Sequence, residues 1–257
     1  MKLDYATLIS PYPLVLQKIG SIKPPTLREI FSPLITYQVY NMYLSLLLTD
    51  LQTYCEKVNP TKSDWFHNLS DEEKQSDNMF DVISENVDLQ EQYRQIFDFF
   101  LSENVIWDDY SHMYYTYLEK DENGMIIPIG AIHKNIWTDF CDVILQMNNV
   151  KKKGSVEKKK FKSKLAQEVW ELTHPKEDEE KSNKDMELPN IISSVAAKDE
   201  SLNMINIWDL TVYQLYDQFQ RQQGNAYYNI SSMSVAAWGD EKNKFDGGAW
   251  YHNIYEN

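Results

Sequence analysis

A chain of 257 residues with 42% hydrophobic and 13% aromatic content has a globular composition, enough for one large domain or two small ones, and its 17 tyrosines argue against overall disorder. A net charge of −14 weighs against a general nucleic-acid-binding surface. The charge is uneven, because residues 151–164 hold 8 Lys against 1 Glu between two acidic flanks.

Residues 11–25 read as a short extended segment, a Gly20-Ser21 turn and a second short strand. Thr26 and Glu29 have capping-box spacing and open a short helix over 27–31. Tyr37, Tyr40, Tyr43, Leu44 and Leu47 mark an amphipathic helix from about 36 to 49. A second helical piece over 50–58 is broken at Asn59-Pro60, and residues 62–71 form a loop bearing Trp65-Phe66. Ser70 and Glu73 make another capping box before a short polar helix. Phe80, Ile83 and Val87 share the next helix. Leu89, Tyr93, Ile96, Phe97, Phe100 and Leu101 then hold the 3.6-residue period over 88–103. β-Formers follow in Val105-Ile106-Trp107 and in the run from Tyr114 to Leu118. A turn at Asp121 to Gly124 and a return strand over 125–129 predict a β-hairpin, with Pro128 placing its strand at an edge. A helix over 135–147, with Ile136, Phe140, Val143, Ile144 and Met147 as its stripe, closes an N-terminal body of residues 1–150.

Residues 151–187 form a connecting segment. The basic run leads into a helix with Phe161, Leu165, Val169 and Leu172 on one face, ending at His174-Pro175, and a charged linker spans 176–187. The chain restarts at Leu188 with Pro189 in the first turn, which opens a C-terminal module over 188–257. Within it Thr211 and Gln214 form a capping box. Val212, Leu215, Tyr216 and Phe219 make an apolar stripe, and Gly224 reads as the helix stop. Tyr227-Tyr228, Trp238, Phe245 and Trp250-Tyr251 follow without a regular period. The expected fold class is mainly α (α+β): a helical body with a small hairpin, a charged linker and a short helical, aromatic-rich module.

No reaction can be read from these residues. The five histidines, His67, His112, His133, His174 and His252, form no HxxxH or HExxH pair, so a metal site and a cofactor have no sequence support. Asp108, Asp109 and His112 are the nearest approach to a ligand cluster, and such clusters are more often solvated turns. Nucleophile elbows and phosphate-binding glycine loops are missing from the sequence. Cys55 and Cys141 lie far apart and read as core filler in a reducing compartment. No signal peptide is expected, and the most apolar run, 43–48, is far short of the roughly 20 residues needed to cross a bilayer. These features point to a soluble cytoplasmic protein without a membrane partner. Interfaces remain. Trp208, Tyr213, Trp238, Trp250 and Tyr251 are the partner-binding candidates, against the plainer reading that large aromatics fill a core. Val212, Leu215 and Phe219 are expected inward, and Trp250-Tyr251 outward.

The run Ile207-Trp-Asp-Leu-Thr-Val-Tyr-Gln-Leu-Tyr-Asp-Gln-Phe219 resembles proteins of tailed phages and prophages of Gram-positive bacteria. Leu188-Pro-Asn-Ile-Ile-Ser-Ser-Val195 before it and Val235-Ala-Ala-Trp-Gly-Asp240 after it share the resemblance. Leu8-Ile-Ser-Pro-Tyr-Pro13 and Pro25-Thr-Leu-Arg-Glu29 look like the same group. Proteins of this look are similar to tail assembly chaperones, small acidic helical proteins that act with the tape measure protein. The resemblance implies a non-catalytic protein of the host cytoplasm that binds phage tail proteins, the tape measure protein above all, with self-association as a further expectation. It carries over no site residues. This chain is longer than the usual chaperone and has a hairpin in its first half. Those departures keep a structural component of the tail, baseplate or neck as the alternative, and a phage enzyme with an unrecognised site as a weaker one.

Overall fold

Side-chain caps decide where the helices begin. In the computed structural model, which describes residues 1–150, 184–240, 244–253 and 255, Asp4, Thr26, Thr36, Asp50, Ser70, Asn78 and Asn86 each accept a backbone N–H from the helix that follows. Each such bond satisfies a donor that the helix alone leaves unpaired. The capping boxes expected at Thr26/Glu29 and Ser70/Glu73 are closed reciprocally, and a third is formed by Asn78 and Asp81.

The described residues divide into two compact units, 1–150 with 208–214, and 184–207 with 215–240, 244–253 and 255. The first unit runs α1 (Tyr5–Ile9), β1 (Leu14–Leu16), β2 (Gly20–Ile22), α2 (Leu27–Ile30), α3 (Tyr37–Leu48), α4 (Leu51–Thr53), α5 (Ser63–Asn68), α6 (Asp71–Ser76), α7 (Met79–Ser84), α8 (Val87–Phe100), β3 (Asn104–Asp108), β4 (Met113–Lys120), β5 (Ile126–Ile132) and α9 (Lys134–Met147). The fold is mainly helical with two small sheets, as expected.

The core of this unit is aromatic. Tyr93, Phe97, Phe100, Tyr114 and Phe140 are fully buried or nearly so. Phe97 meets Tyr114 edge to face at 5.1 Å between centroids, and Trp137 lies 5.1 Å from Tyr93 and 5.3 Å from Phe80. Edge-to-face pairing aligns a ring's positive rim with its neighbour's negative face, which adds to the gain from burial. The polar ends are satisfied as well, since Tyr93 Oη donates to Leu46 O at 2.8 Å and Tyr114 Oη to Gln90 O at 2.9 Å. Burial pushes both phenols above their ordinary range. Cys55 and Cys141 are buried within this unit, and burial also pushes the Cys55 thiol up.

The antiparallel sheet has the order β3-β4-β5, so the expected hairpin is two strands of a three-stranded meander. Tyr114 and Thr116 alternate inward on β4, and Pro128 sits on the edge strand β5 opposite Tyr117, with the register irregular on both sides of that pair. The placement follows from the missing N–H of proline. The β1–β2 hairpin turns at residues 17–19, with Lys18 at φ 61°, three residues before the expected Gly20-Ser21 turn. Its tip is docked on the larger sheet, where Ala131 N donates to Lys18 O at 2.9 Å. Gly130 allows that approach, since a Cβ there would stand 2.6 Å from Ile19 O.

Two local expectations are corrected. Residues 62–71 are not all loop, because α5 forms and buries Phe66; six residues are too few for a periodic pattern to register. Val87 does not share a helix with Phe80 and Ile83, since α7 ends at Ser84 and Asn86 caps α8, leaving Val87 75% exposed. The helical piece expected over 50–58 forms, as one α-turn followed by a π-turn, Tyr54–Val58, closed by Asn59 N donating to Tyr54 O at 2.7 Å before Pro60. The expected helix over 161–172, the basic run and the linker up to residue 183 lie outside the described residues.

Candidate interaction surface

Trp208–Gln214 joins the first unit through backbone and charge. Leu27 N donates to Leu210 O at 2.9 Å, Thr26 bridges Thr211, and the Arg28 guanidinium reaches Asp209 at 2.7 Å. Trp208 is half-buried with its ring edge-on to Phe31 at 5.7 Å, and Tyr213 is buried. Of the five sequence candidates, these two are therefore held in or against the first unit, whereas the sequence reading placed them in the C-terminal module. A buried Tyr213 offers little surface to a partner. The signal missed was spatial, as nothing in the run 206–221 records its pairing with residues 26–31.

The second unit contains α10 (Leu188–Lys198), whose Leu188, Ile191, Ile192 and Val195 are buried at helical spacing. It also contains the greater part of α11 (Val212–Trp238). The expected box starts α11: Thr211 N donates to Gln214 Oε1 at 3.0 Å, and Gln214 N to Thr211 Oγ1 at 3.2 Å. Gly224 does not end it. A glycine inside a helix costs only about 1 kcal/mol relative to alanine, and no second breaker follows until Gly239, whose φ of 78° supplies the left-handed stop. The 27 residues of α11 extend about 40 Å at 1.5 Å per residue. Reading Gly224 as a terminus hid Tyr227, Ile230, Met233 and Trp238 from view as one set. Their continued helical spacing past the glycine was the available signal.

One face of α11 carries the C-terminal tail. Phe245 packs against Tyr228 with centroids 5.6 Å apart, Arg221 Nη1 donates to His252 O at 2.8 Å, and Tyr255 Oη donates to Asp217 Oδ1 at 2.9 Å. As the tail number rises the helix number falls, so the tail runs back antiparallel along the helix. Asp240 turns the chain into it, accepting from Lys244 N at 3.0 Å and from Phe245 N at 2.8 Å. Asp217 is buried beneath the tail with Arg221 Nε 3.9 Å away. On another face Tyr227, Ile230, Met233 and Trp238 are 72%, 65%, 63% and 80% exposed. Trp250 and Tyr251, on the short turn Ala249–Tyr251, touch at 5.0 Å and are more than half exposed. Leu215 is buried as expected, and Phe219 is half-buried.

Chemistry-bearing groups elsewhere have structural tasks. Asp108 accepts from Ser111 N and Oγ, which hold its carboxyl below the ordinary range, and Trp107 Nε1 donates to Asp109. The cluster with His112 is a β-turn linking β3 to β4. Among the described residues no group of three or more His, Cys, Asp or Glu could hold a metal ion, and no helix is long and apolar enough to cross a membrane. A shallow depression of about 310 Å³ is lined by Asp4, Thr7, Ser10, Tyr12 and Pro13 among others. Its carboxylate is already committed to capping α1.

Residues 179–255 match the family model of the YomV second domain, a phage-derived family. The match covers α10, α11 and the tail. No curated protein and no solved structure matches the chain.

Proposed function

We propose that this chain is a non-catalytic, tail assembly chaperone-like phage protein that holds a helical segment of another tail protein, the tape measure protein in particular, in the host cytoplasm. The observation that carries the reading is the exposed aromatic pair Trp250-Tyr251 within the very residues that match a phage-derived family. Two large rings side by side on a short turn present apolar area with few rotatable bonds, the kind of anchor that seats in the grooves of a helix. Trp238, at the end of α11, is also 80% exposed within the matched residues. The acidic charge of the chain supports the reading too, because it keeps a carrier of apolar segments soluble.

Two measurements test this. Co-expression of the full chain with the tape measure protein is expected to yield a complex that the double substitution Trp250→Ala and Tyr251→Ala weakens by at least about tenfold. Mass spectrometry of purified virions is expected to find the chain missing. Stoichiometric amounts in the particle would replace the chaperone role by that of a structural tail, baseplate or neck component.

A further inference from the structure

The tail is rich in aromatic rings, yet α11 does not fully bury them. None of its described residues, 244–253 and 255, is fully buried, and Trp250 and Tyr251 are 53% and 62% exposed. Beneath the tail lies a carboxylate instead. Asp217 is 2% exposed, accepts from Tyr255 Oη at 2.9 Å and has Arg221 Nε 3.9 Å away. One turn further along the helix, Arg221 Nη1 donates to His252 O at 2.8 Å. Burying a carboxylate has a free-energy cost that hydrogen bonds and a nearby cation offset, whereas burying a ring is favourable outright. A tail docked for stability alone would turn its rings in and leave the charge in water. This one does the reverse, and polar bonds of fixed length and direction admit fewer arrangements than apolar contact does.

The stretch that carries the exposed pair is closed on itself. Asp246 accepts from Gly248 N at 2.8 Å and lies 3.5 Å from His252 Nδ1. Ala249 N donates to Asp246 O at 3.2 Å, and Tyr251 N to Gly248 O at 3.1 Å. The Tyr251 ring meets Trp250 and His252 edge on, with centroids 5.0 and 5.8 Å away. Both ends of this stretch are tied to the helix, Phe245 by its ring contact with Tyr228 and His252 by its bond from Arg221. The two ties are seven residues apart on α11, about 10 Å at 1.5 Å per residue. Trp250 and Tyr251 lie between them in sequence.

We propose that Asp217 and Arg221 are positioning residues. Their bonds to Tyr255 and His252 latch the tail on α11 and hold the Trp250-Tyr251 pair in one arrangement, so they set the affinity for the partner through that pair. The proposal rests on the reading of this pair as the anchor for a helical partner. A pair already held gives up less conformational freedom on binding than one on a loose tail, and the difference is gained as affinity.

Order parameters from 15N relaxation, measured on the free full chain, test the latch without a partner. Residues 245–252 of the wild-type chain are expected at about 0.85, as in a rigid backbone, and below about 0.6 in the double substitution Arg221→Ala and Tyr255→Phe, with helical circular dichroism unchanged. Asp217→Asn keeps an oxygen to accept from Tyr255 and is expected to stay near the wild-type values, while Asp217→Ala falls with the double variant. A wild-type tail already below about 0.6, or a double variant as ordered as the wild type, overturns the latch. Co-expression with the tape measure protein tests the positioning role. The double variant is expected to weaken the complex roughly tenfold, although Trp250 and Tyr251 are intact. A loosened tail with an unchanged complex overturns that role. A wild-type chain that forms no complex overturns the anchor reading and the positioning role with it, while the order parameters still decide the latch.

Discussion

Tyr93, Phe97, Tyr114 and Phe140 in the first unit are 0–2% exposed, whereas Tyr227, Trp238, Trp250 and Tyr251 in the second are 53–80% exposed. The difference does not come from residue type, because both sets are large aromatic side chains. It comes from what the backbone puts opposite them. In the first unit α8, α9 and the sheet supply rings to meet rings and carbonyls to meet phenols. The outer face of α11 has no such cover among the described residues. The first unit also exposes large side chains: Tyr12 and Tyr110 lie outside its helices and strands, while Met42 and Leu48 lie on α3 and Leu118, Ile127 and Ile129 on β4 and β5. Single exposed side chains are ordinary, and Tyr227, Ile230, Met233 and Trp238 on the distal part of α11 are each more than 60% exposed.

Substitutions that shift stability in one set and not the other can break this contrast. The largest expected effect is in the first unit, where Phe97→Ala should cost about 3–5 kcal/mol in denaturant unfolding, against within about 0.5 kcal/mol for Trp250→Ala. Equal losses would mean that Trp250 is a core residue and that the contrast is false. Next comes truncation after Glu187. It removes Asp209, Leu210 and the buried Val212 and Tyr213 from the first unit, and should cost that unit about 3 kcal/mol. A second truncation after Gln214 should restore most of this. An N-terminal body that melts alike in both truncations would show that the returning segment contributes nothing.

Smaller effects sharpen the comparison. Tyr114→Phe removes the side-chain donor to the Gln90 carbonyl and leaves only its helical partner, and should cost about 1 kcal/mol. Thr211→Ala opens the box at the start of α11 and should cost about 1 kcal/mol, read as lost helicity on heating. The smallest effect is electrostatic. Hydrogen bonds from the Arg94 guanidinium and from Gln95 hold the Glu91 carboxyl down at about 2, from an ordinary 4.5. Its folded value lies below its unfolded one, so the pair stabilises the fold above the unfolded value, and that stability is lost as pH falls from about 4.5 towards 2. Asp98 on the far side of Arg94 is raised by burial and offsets part of the effect. Because Glu91 is half exposed, solvent screening limits the loss to below about 1 kcal/mol. Arg94→Ala should flatten this part of the stability–pH curve.

Local chemistry was legible in the sequence to different depths. Capping boxes at Thr26, Ser70 and Thr211 involve residues three apart, so they can be read without knowing the fold. The long periods of α3, α8 and α9 also repeat often enough to register. The three-stranded meander was read one strand short, because β3 has five residues and its partner is chosen by tertiary contact. The end of α11 was misplaced because one glycine was given more weight than the spacing that continues beyond it. At the surface, Trp238, Trp250 and Tyr251 were read as candidates and are exposed, while Trp208 and Tyr213 belong to the first unit, to which their neighbours Asp209 and Leu210 bond at Arg28 and Leu27, about 180 positions away. Pairings at that distance leave no local pattern.

The central claim is that the exposed aromatics of the C-terminal region meet another phage protein. Its most direct test is site-specific photo-crosslinking with a benzophenone side chain at position 250 of the full chain, in cells that are assembling phage. The expected result is one main adduct in which mass spectrometry identifies a phage tail protein, and no adduct from the same probe at the buried position 114. Crosslinks confined to host proteins, or an equal yield from both positions, would contradict it.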